Sequence, residues 1–369
     1  MFWGNLLLLL GTCFADGFIL YVDVQSRFGI TEEGIAQAVD VARDHFLQAP
    51  DDTVILEFAA GTHVINHTGP AINLRDGVLP GTGGRLVFHG AGINKTTLVF
   101  ANMEQLVILG LDVYRTTFSD MHITRPMPMV TQGYVVNVTQ GLVLLEIPDG
   151  FPTPLDIYNP NWTKGRYLRK YTNEAEPKII EANNRQISWL NTTHLEGNKW
   201  YITLNSPTYL PNYSPGDLIG VKSKCCGKGS WGVSNYFFCR GEQVVFEHVK
   251  WTRQSRGVLR CGIPNIRFSK CQVRKESPVN GQGWCLATSG GGPQLGQPND
   301  VPTTNALIED YYAENTGDDS IGFFNVHGAT IRNAMIKDSF ARGIYLYNST
   351  DIALENNTLE RCQVLHKSA

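Results

Sequence analysis

The 369-residue sequence has little charge and no strong excess of one sign. Charged residues make up 18% of the chain, against roughly a quarter in ordinary soluble domains. The 31 Lys and Arg face 34 Asp and Glu, so the net charge is −3. This balance gives no sign of a nucleic-acid-binding protein or of an electrostatic membrane anchor. No apolar run is long enough to cross a bilayer, so we expect no membrane insertion.

Cysteine pairs at the spacing of zinc ligands are also absent, so no metal or other cofactor is expected. One of the 8 cysteines, Cys13, lies in a segment that runs from Met1 through Leu6–Leu10 to Ala15. A short apolar core that ends at a small residue predicts a cleaved secretory signal, here residues 1–15. We therefore expect a secreted, extracellular protein with structural disulfides and at least one unpaired thiol.

N-glycosylation sequons agree with the secretory route. The motif N-x-[ST] marks an asparagine that can carry a glycan on the surface of a secreted protein. The predicted glycosylation sites are Asn66, Asn94, Asn137, Asn161, Asn191, Asn212, Asn348 and Asn356.

One amphipathic helix is predicted, near the N-terminus. Thr31 is placed to cap it, and Glu32 and Glu33 lie in its first turn. Its apolar residues recur at helical spacing and share a face: Ile35, Val39, Ala42 and Phe46. After this helix, short apolar runs are broken by Gly, Asn and Asp, which is typical of many short strands.

The C-terminal third of the sequence repeats with a period of 22 to 23. Ile308, Ile331 and Leu354 follow one another at steps of 23, and each lies two residues before an Asp or Asn. Upstream, Phe246 and Phe268 are separated by a step of 22. This period, with Asn or Asp at a fixed turn position, predicts a parallel β-helix with one coil per repeat.

The predicted fold is therefore all-β, a parallel β-helix (solenoid) with an N-terminal capping helix and an inserted β-rich subdomain. Residues 143–220 break the repeat and are rich in Pro, Tyr, Trp and Asn, so we assign to them the insertion, which is either a β-rich subdomain or a set of long loops. The other predicted units are the cap and first coils over 16–75, β-helix over 76–142, and β-helix with regular coils over 221–369. Stacked coils would bring Cys239 and Cys261, which are also separated by a step of 22, close enough for a disulfide.

The sharpest candidate for chemistry is the acidic pair Asp318 and Asp319. Adjacent carboxylates repel, so one of them tends to keep its proton near neutral pH. A glycosidase needs one carboxylic acid to protonate the leaving oxygen and one carboxylate to activate water. If the pair lies at the start of a strand, the two side chains point to opposite faces of the sheet, because successive residues of a strand alternate between the faces. A third acid is then needed, and Asp300 is the nearest candidate upstream.

The repeat also predicts a partner for Asp319. Arg342 follows it by one step of 23 and should stack directly above it, to hold the carboxylate ionised or to bind substrate. Asn325 and His327 follow the acidic pair and are further candidates for substrate binding. The alternatives are an ordinary salt bridge between coils for Arg342 and a hydrogen-bonded turn residue for His327.

A basic run without acids lies between residues 248 and 275. Arg253 and Lys275 are separated by a step of 22 and should stack on one face, where an acidic sugar would relieve their repulsion. The alternative is a solvated basic face. The run consists of Lys250, Arg253, Arg256, Arg260, Arg267, Lys270, Arg274 and Lys275.

With these residues the chain resembles the right-handed parallel β-helix (pectin-lyase-like) superfamily, over nearly all of the mature chain. The resemblance rests on the capping segment Tyr21–Ile65, the Gly90–Gly92 coil and the repeats after Val244. It implies a right-handed β-helix.

Gly317-Asp318-Asp319 together with Asn325–Gly328 looks like a motif of the α-1,3-galactosidases of glycoside hydrolase family 110, and the acidic pair is also similar to that of polygalacturonases. This resemblance implies an inverting hydrolase without cofactor, with Asp318 and Asp319 in the catalytic cluster and Asp300 as a third acid.

We therefore expect a glycoside hydrolase that acts on an oligosaccharide or polysaccharide. Two alternatives stay open. One is a polysaccharide lyase that uses an Arg or Lys of the basic run as the base against an acidic sugar. The other is a carbohydrate-binding or structural β-helix protein without turnover.

Overall fold

A computed structural model describes residues 17–75, 83–158, 166–180, 186–223, 234–255, 257–296, 302–362 and 364–367. These residues form two helices, α1 (Val24–Arg27) and α2 (Glu32–Gln48), and 27 strands. Within these ranges no helix is both long enough and apolar enough to span a bilayer. The predicted signal over residues 1–15 lies outside the described residues.

The strands fall into three groups along the chain. Strands β1 to β7 are Ile19–Asp23, Thr53–Phe58, Gly61–Ile65, Ile72–Leu74, Arg85–Gly90, Thr96–Phe100 and Ile108–Thr124. Strands β8 to β13 are Val130–Thr139, Leu142–Glu146, Tyr167–Tyr171, Ile187–Glu196, Lys199–Leu204 and Leu218–Lys222. Strands β14 to β27 are Ser234–Trp251, Gly257–Gly262, Arg267–Ser269, Gln272–Val273, Pro293–Leu295, Thr303–Glu309, Tyr312–Glu314, Ile321–Phe324, Val326–Arg332, Met335–Lys337, Ile344–Tyr347, Thr350–Glu355, Thr358–Glu360 and Val364–Lys367.

Strands of the first and third groups stack into three parallel ladders. Ladder A is β1, β2, β5, the middle of β7, the middle of β14, β16, β19, β22 and β25. Ladder B is β3, β6, the ends of β7 and β14, β17, β20, β23 and β26. Ladder C is β4, the starts of β7 and β14, β15, β18, β21, β24 and β27. The chain thus visits the ladders in turn, mostly through short turns.

The predicted repeat is confirmed as a strand register. Ile308 is paired with Ile331, which in turn is paired with Leu354. Phe246 is paired with Phe268, so the shorter step of 22 is also real. Residues one repeat apart are therefore neighbours on adjacent parallel strands.

An aromatic column forms part of the core behind ladder A. The rings of Phe88 and Phe118 stack at 4.7 Å between centroids, Phe118 and Phe246 at 5.2 Å, and Phe246 and Phe268 at 5.1 Å. All four side chains are fully buried. Because parallel register places equivalent residues one above another, a single apolar position repeated along the sequence becomes a continuous column.

The N-terminal helix α2 forms as the sequence predicts. The Thr31 hydroxyl accepts the Gly34 N–H at 3.0 Å and so satisfies a free donor of the first turn. The predicted apolar face is buried: Ile35, Val39, Ala42 and Phe46. These residues belong to the same core as the first strands, so α2 packs against the beginning of the ladders.

Asn and Asp occupy left-handed turn positions at the predicted period. Asp310, Asn333 and Asn356 follow ladder A at steps of 23, with φ of 50°, 53° and 50°. Residues other than glycine rarely adopt positive φ, and Asn and Asp tolerate it best. The repeated Asn or Asp thus lets the chain turn from ladder A to ladder B.

Strands β8 to β13 form a separate closed antiparallel barrel, in the order β10-β11-β12-β9-β8-β13. The barrel runs from Val130 to Lys222 and so extends beyond the range 143–220 on both sides. It has its own apolar core, which also takes in Trp284 and Phe340 from segments outside the barrel. The barrel is thereby joined to the ladders by shared buried side chains.

The predicted stacking of Cys239 on Cys261 is wrong by one position. Cys239 is paired with Gly262, and Cys261 is paired with Phe238, because the ladder step here is 23 rather than 22. The side chains of Cys239 and Cys261 lie outside the described residues. Among the described residues, Cys271 and Cys285 are free thiols.

Candidate functional site

The acidic pair lies in a tightly packed turn between ladder B and ladder C, just before β21. A Cβ at Gly317 would lie 2.5 Å from the carbonyl oxygens of both Thr288 and Ser289, so this position requires glycine. The Gly292 N–H donates to the carbonyl of Asp319 at 3.0 Å. The segment from Thr288 to Gly292 of the same chain therefore fixes the backbone of this turn.

Asp319 is buried and paired with Arg342, as the repeat predicts. Arg342 donates from Nε to Oδ1 at 2.6 Å and from Nη2 to Oδ2 at 3.0 Å, a bidentate pair across one coil. The Asp319 side chain is only 3% exposed. Burial, and next the charge of Asp318, raise the pKa of Asp319 to about 6, although the charges of Arg342 and Lys222 oppose the shift.

Asp318 has a different environment, because it is half-buried where Asp319 is buried. The Asp318 carbonyl accepts hydrogen bonds from the hydroxyls of Thr316 and Ser339, each at 3.0 Å. The two adjacent carboxyl groups thus differ in access to solvent, which is the outcome expected for a pair at the start of a strand.

The barrel contributes a buried lysine that no sequence pattern predicts. Lys222, the last residue of β13, donates from Nζ to the carbonyl of Gly317. Its ammonium lies 4.5 Å from the ring centre of Phe340 and 5.3 Å from that of Tyr167. A residue 95 positions before Gly317 has no fixed spacing to the repeat, so only the folded chain shows this contact.

The next coil is held by the barrel in the same way. The carbonyl of Phe340 accepts hydrogen bonds from Arg169 and from Gln186, the latter at 3.0 Å. Asp338 is bound by Arg361 at 2.6 and 2.7 Å and by the Ile179 N–H at 2.9 Å. The Asp338–Arg361 pair repeats the spacing of 23 seen in Asp319–Arg342, so the same arithmetic on the sequence would have found it.

Asn325 and His327 lie at the other end of β21, where ladder C turns into ladder A. Strand β21 separates them from Asp319, and four strand residues span about 13 Å. The His327 ring is within hydrogen-bond distance of the Thr350 hydroxyl at 2.8 Å and of the Asn325 side-chain oxygen at 3.2 Å. These contacts match the alternative interpretation of His327 as a hydrogen-bonded residue, although it lies in strand β22 rather than in a turn.

Four of the eight residues of the basic run are paired with acids of the same chain. Its described pairs are Arg253 with Glu276 at 3.1 Å, Lys275 with Glu176 at 2.8 Å, Arg274 with Glu314 at 3.9 Å, and Arg267 with Glu309. Arg274 also stacks on the Tyr312 ring at 3.6 Å. The repulsion that predicted an acidic sugar at Arg253 and Lys275 is therefore relieved within the protein. The side chains of Arg256 and Arg260 lie outside the described residues.

Other predicted residues can be placed on the surface or not at all. Asp300 and Asn161 lie outside the described residues. Seven predicted glycosylation sites are exposed: Asn66, Asn94, Asn137, Asn191, Asn212, Asn348 and Asn356. In the part of the chain that the structure describes, no three His, Cys, Asp or Glu side chains converge as metal ligands.

Comparison with known proteins finds only distant structural similarity. No protein family matches the sequence, and no curated protein does. The catalytic unit of a GH87 α-1,3-glucanase from Streptomyces thermodiastaticus is 13% identical, with a TM-score of 0.37 over 89% of this chain and 38% of that one. The Agl-KA catalytic domain is 11% identical, with a TM-score of 0.38 over 95% and 48%. The chain thus spans less than half of either structure, and at such TM-scores the similarity says nothing about function.

Proposed function

We propose that the chain is a secreted, right-handed parallel β-helix protein that hydrolyses a glycosidic bond at the turn Gly317–Ser320. The three ladders, with their steps of 22 and 23, support coils of a β-helix. The exposure of all seven described sequon asparagines supports a route through the secretory pathway.

The contrast between Asp318 and Asp319 carries the proposal. A buried carboxyl with a pKa of about 6 beside a half-exposed one is the kind of arrangement that keeps a proton available near neutral pH. Both oxygens of Asp319 are bound by Arg342, so Asp318 is the group that reaches a sugar. Asp319, Arg342 and Lys222 act as positioning residues, since they fix the turn and its charge.

An inverting mechanism needs a second carboxyl group about 6.5–9.5 Å from the first, with water between them. Asp318 and Asp300 are assigned as the two catalytic carboxyl groups, of which one protonates the leaving oxygen and the other activates the water. Asp319 cannot take this second role while both of its oxygens accept from Arg342.

The test is a substrate panel with two readouts. Purified protein and the variant Asp318→Asn/Asp319→Asn are incubated with α-galactosides, galacturonans and sulfated glycans, while reducing ends and ultraviolet absorbance are followed. We expect reducing ends without absorbance, and none from the variant. New absorbance from an unsaturated product would instead identify a lyase, and its persistence in the variant would move the chemistry away from this turn.

A non-catalytic glycan-binding protein is the second candidate, and one observation favours it. Both carboxylate oxygens of Asp319 accept hydrogen bonds from Arg342, as in an ordinary salt bridge between coils. This function predicts glycan binding without turnover, equal in wild type and in the double variant. The lyase alternative was based on unpaired positive charge at Arg253 and Lys275. Each of these residues is already paired with a carboxylate of the protein, so this argument for an acidic sugar no longer applies.

A further inference from the structure

A groove of about 520 Å³ runs across the outer face of ladder A, away from the acidic turn. It crosses five consecutive strands, β5, β7, β14, β16 and β19. Four steps between strands amount to about 19 Å at roughly 4.8 Å each. Asp318 lies between ladders B and C, so this ladder A groove is separate from the proposed catalytic turn.

The ladder A groove carries an excess of positive charge. The guanidinium groups of Arg85 and Arg115 line it, and in the described parts of the chain neither has an ion pair or a side-chain hydrogen bond. Arg267 shares Glu309 with Arg332, so two arginines there face one carboxylate. Glu247 is the one acid among the lining residues.

A row of carboxamides lies along one side of the groove. Gln243, Asn265 and Asn305 occupy equivalent left-handed turn positions, with φ of 60°, 57° and 53°. Asn265 donates from Nδ2 to Glu242 at 3.1 Å. The side-chain amides of Gln243 and Asn305 have no hydrogen-bond partner within the described residues. Each offers both a donor and an acceptor, which suits hydroxyl groups.

We propose that the ladder A groove binds an extended anionic oligosaccharide. Its carboxylate or sulfate groups pair with Arg85 and Arg115, because guanidinium forms strong charge-assisted hydrogen bonds to such oxygens. Its hydroxyls meet the carboxamides, and its apolar ring faces lie on Val245 and Leu307. Single-stranded nucleic acid fits less well, because no aromatic side chain lines the groove for base stacking.

Titration calorimetry at low ionic strength tests this site. The probes are a heparin-derived oligosaccharide, a galacturonate oligomer of the same length and a neutral galacto-oligosaccharide. We expect binding of at least one anionic probe, weaker binding at high salt, and none of the neutral probe. In Arg85→Gln/Arg115→Gln the affinity should fall by about tenfold or more for each lost charge-assisted contact. The arm that binds distinguishes sulfate from carboxylate.

Two further variants make the result specific to the groove. The charge-matched control Arg27→Gln/Arg43→Gln changes positions of α1 and α2 that do not line the groove, and it should bind as wild type does. Gln243→Ala/Asn305→Ala changes no charge and should weaken binding by several-fold while the salt dependence stays. Wild-type affinity in the groove variants, equal loss in the control, or tighter binding of a single-stranded oligonucleotide would each overturn the proposal. Since none of these variants alters the acidic turn, the outcome is independent of hydrolase activity.

Discussion

The substitution Asp319→Asn tests which electrostatic effect determines the protonation of Asp319 at the acidic turn. Two effects oppose each other there: burial and the charge of Asp318 favour the neutral acid, whereas Arg342 favours the carboxylate. The first two prevail, and the pKa of Asp319 rises from 3.8 to about 6. A shift of about two units corresponds to about 3 kcal/mol between the protonation states.

The sign of the pH dependence follows from that shift. Because the folded state holds the proton more tightly than the unfolded state, this group contributes stability that is fully present below pH 3.8 and is lost as the pH rises through about 6. Asparagine cannot ionise, so the variant Asp319→Asn does not lose stability in this way as the pH rises. The free energy of unfolding of wild type should therefore fall relative to that of Asp319→Asn, by about 2 kcal/mol between pH 4.5 and 7.5.

Urea unfolding of both proteins at a series of pH values measures the difference directly. Asp318→Asn serves as a control, because removal of the neighbouring charge should move the transition to lower pH. If the free energies of unfolding of wild type and Asp319→Asn changed in parallel with pH, the reasoning would be refuted. The opposite sign, with Asp319→Asn losing stability relative to wild type as the pH rises, would show that the ion pair with Arg342 outweighs burial.

Three other predictions concern the fold around the site. Gly317→Ala should destabilise the protein by about 2–3 kcal/mol in urea unfolding, because its Cβ meets two carbonyl oxygens, whereas Gly69→Ala, with open space around it, should change little. Phe246→Ala interrupts the aromatic column and should cost about 3–5 kcal/mol of unfolding free energy, and a cost under about 1 kcal/mol would contradict the packing. Peptide:N-glycosidase treatment of protein secreted from eukaryotic cells should lower its mass by several glycans, and an unchanged mass would argue against the sequons.

Much of the ladder architecture could be predicted because parallel stacking converts sequence period into neighbours. The step from Asp319 to Arg342 correctly predicted an ion pair, and the column through Phe246 and Phe268 followed from one step of 22. The same reasoning failed at Cys239, where the local step is 23 rather than 22. A repeat with two step lengths predicts stacking only where the local step is known.

The contacts made by the barrel could not be predicted from spacing. Lys222 reaches Gly317, and Arg169 reaches Phe340, through the packing of two separate cores rather than through the repeat. The partners of the basic run were missed for a related reason. Lys275 is paired with Glu176, an acid 99 residues away, so a local absence of acids did not mean an absence in space.

The most direct test of the proposed function is turnover by Asp318→Asn alone, measured as reducing ends released from the glycan that wild type cleaves best. Loss of a general acid or base typically costs about 10²–10⁴-fold in rate, so we expect a loss in kcat of about that size. The matched variant Asp310→Asn, an exposed turn aspartate one ladder away, should keep wild-type activity. Wild-type turnover by Asp318→Asn, or no turnover of any glycan by the wild-type protein, would contradict hydrolysis at this turn.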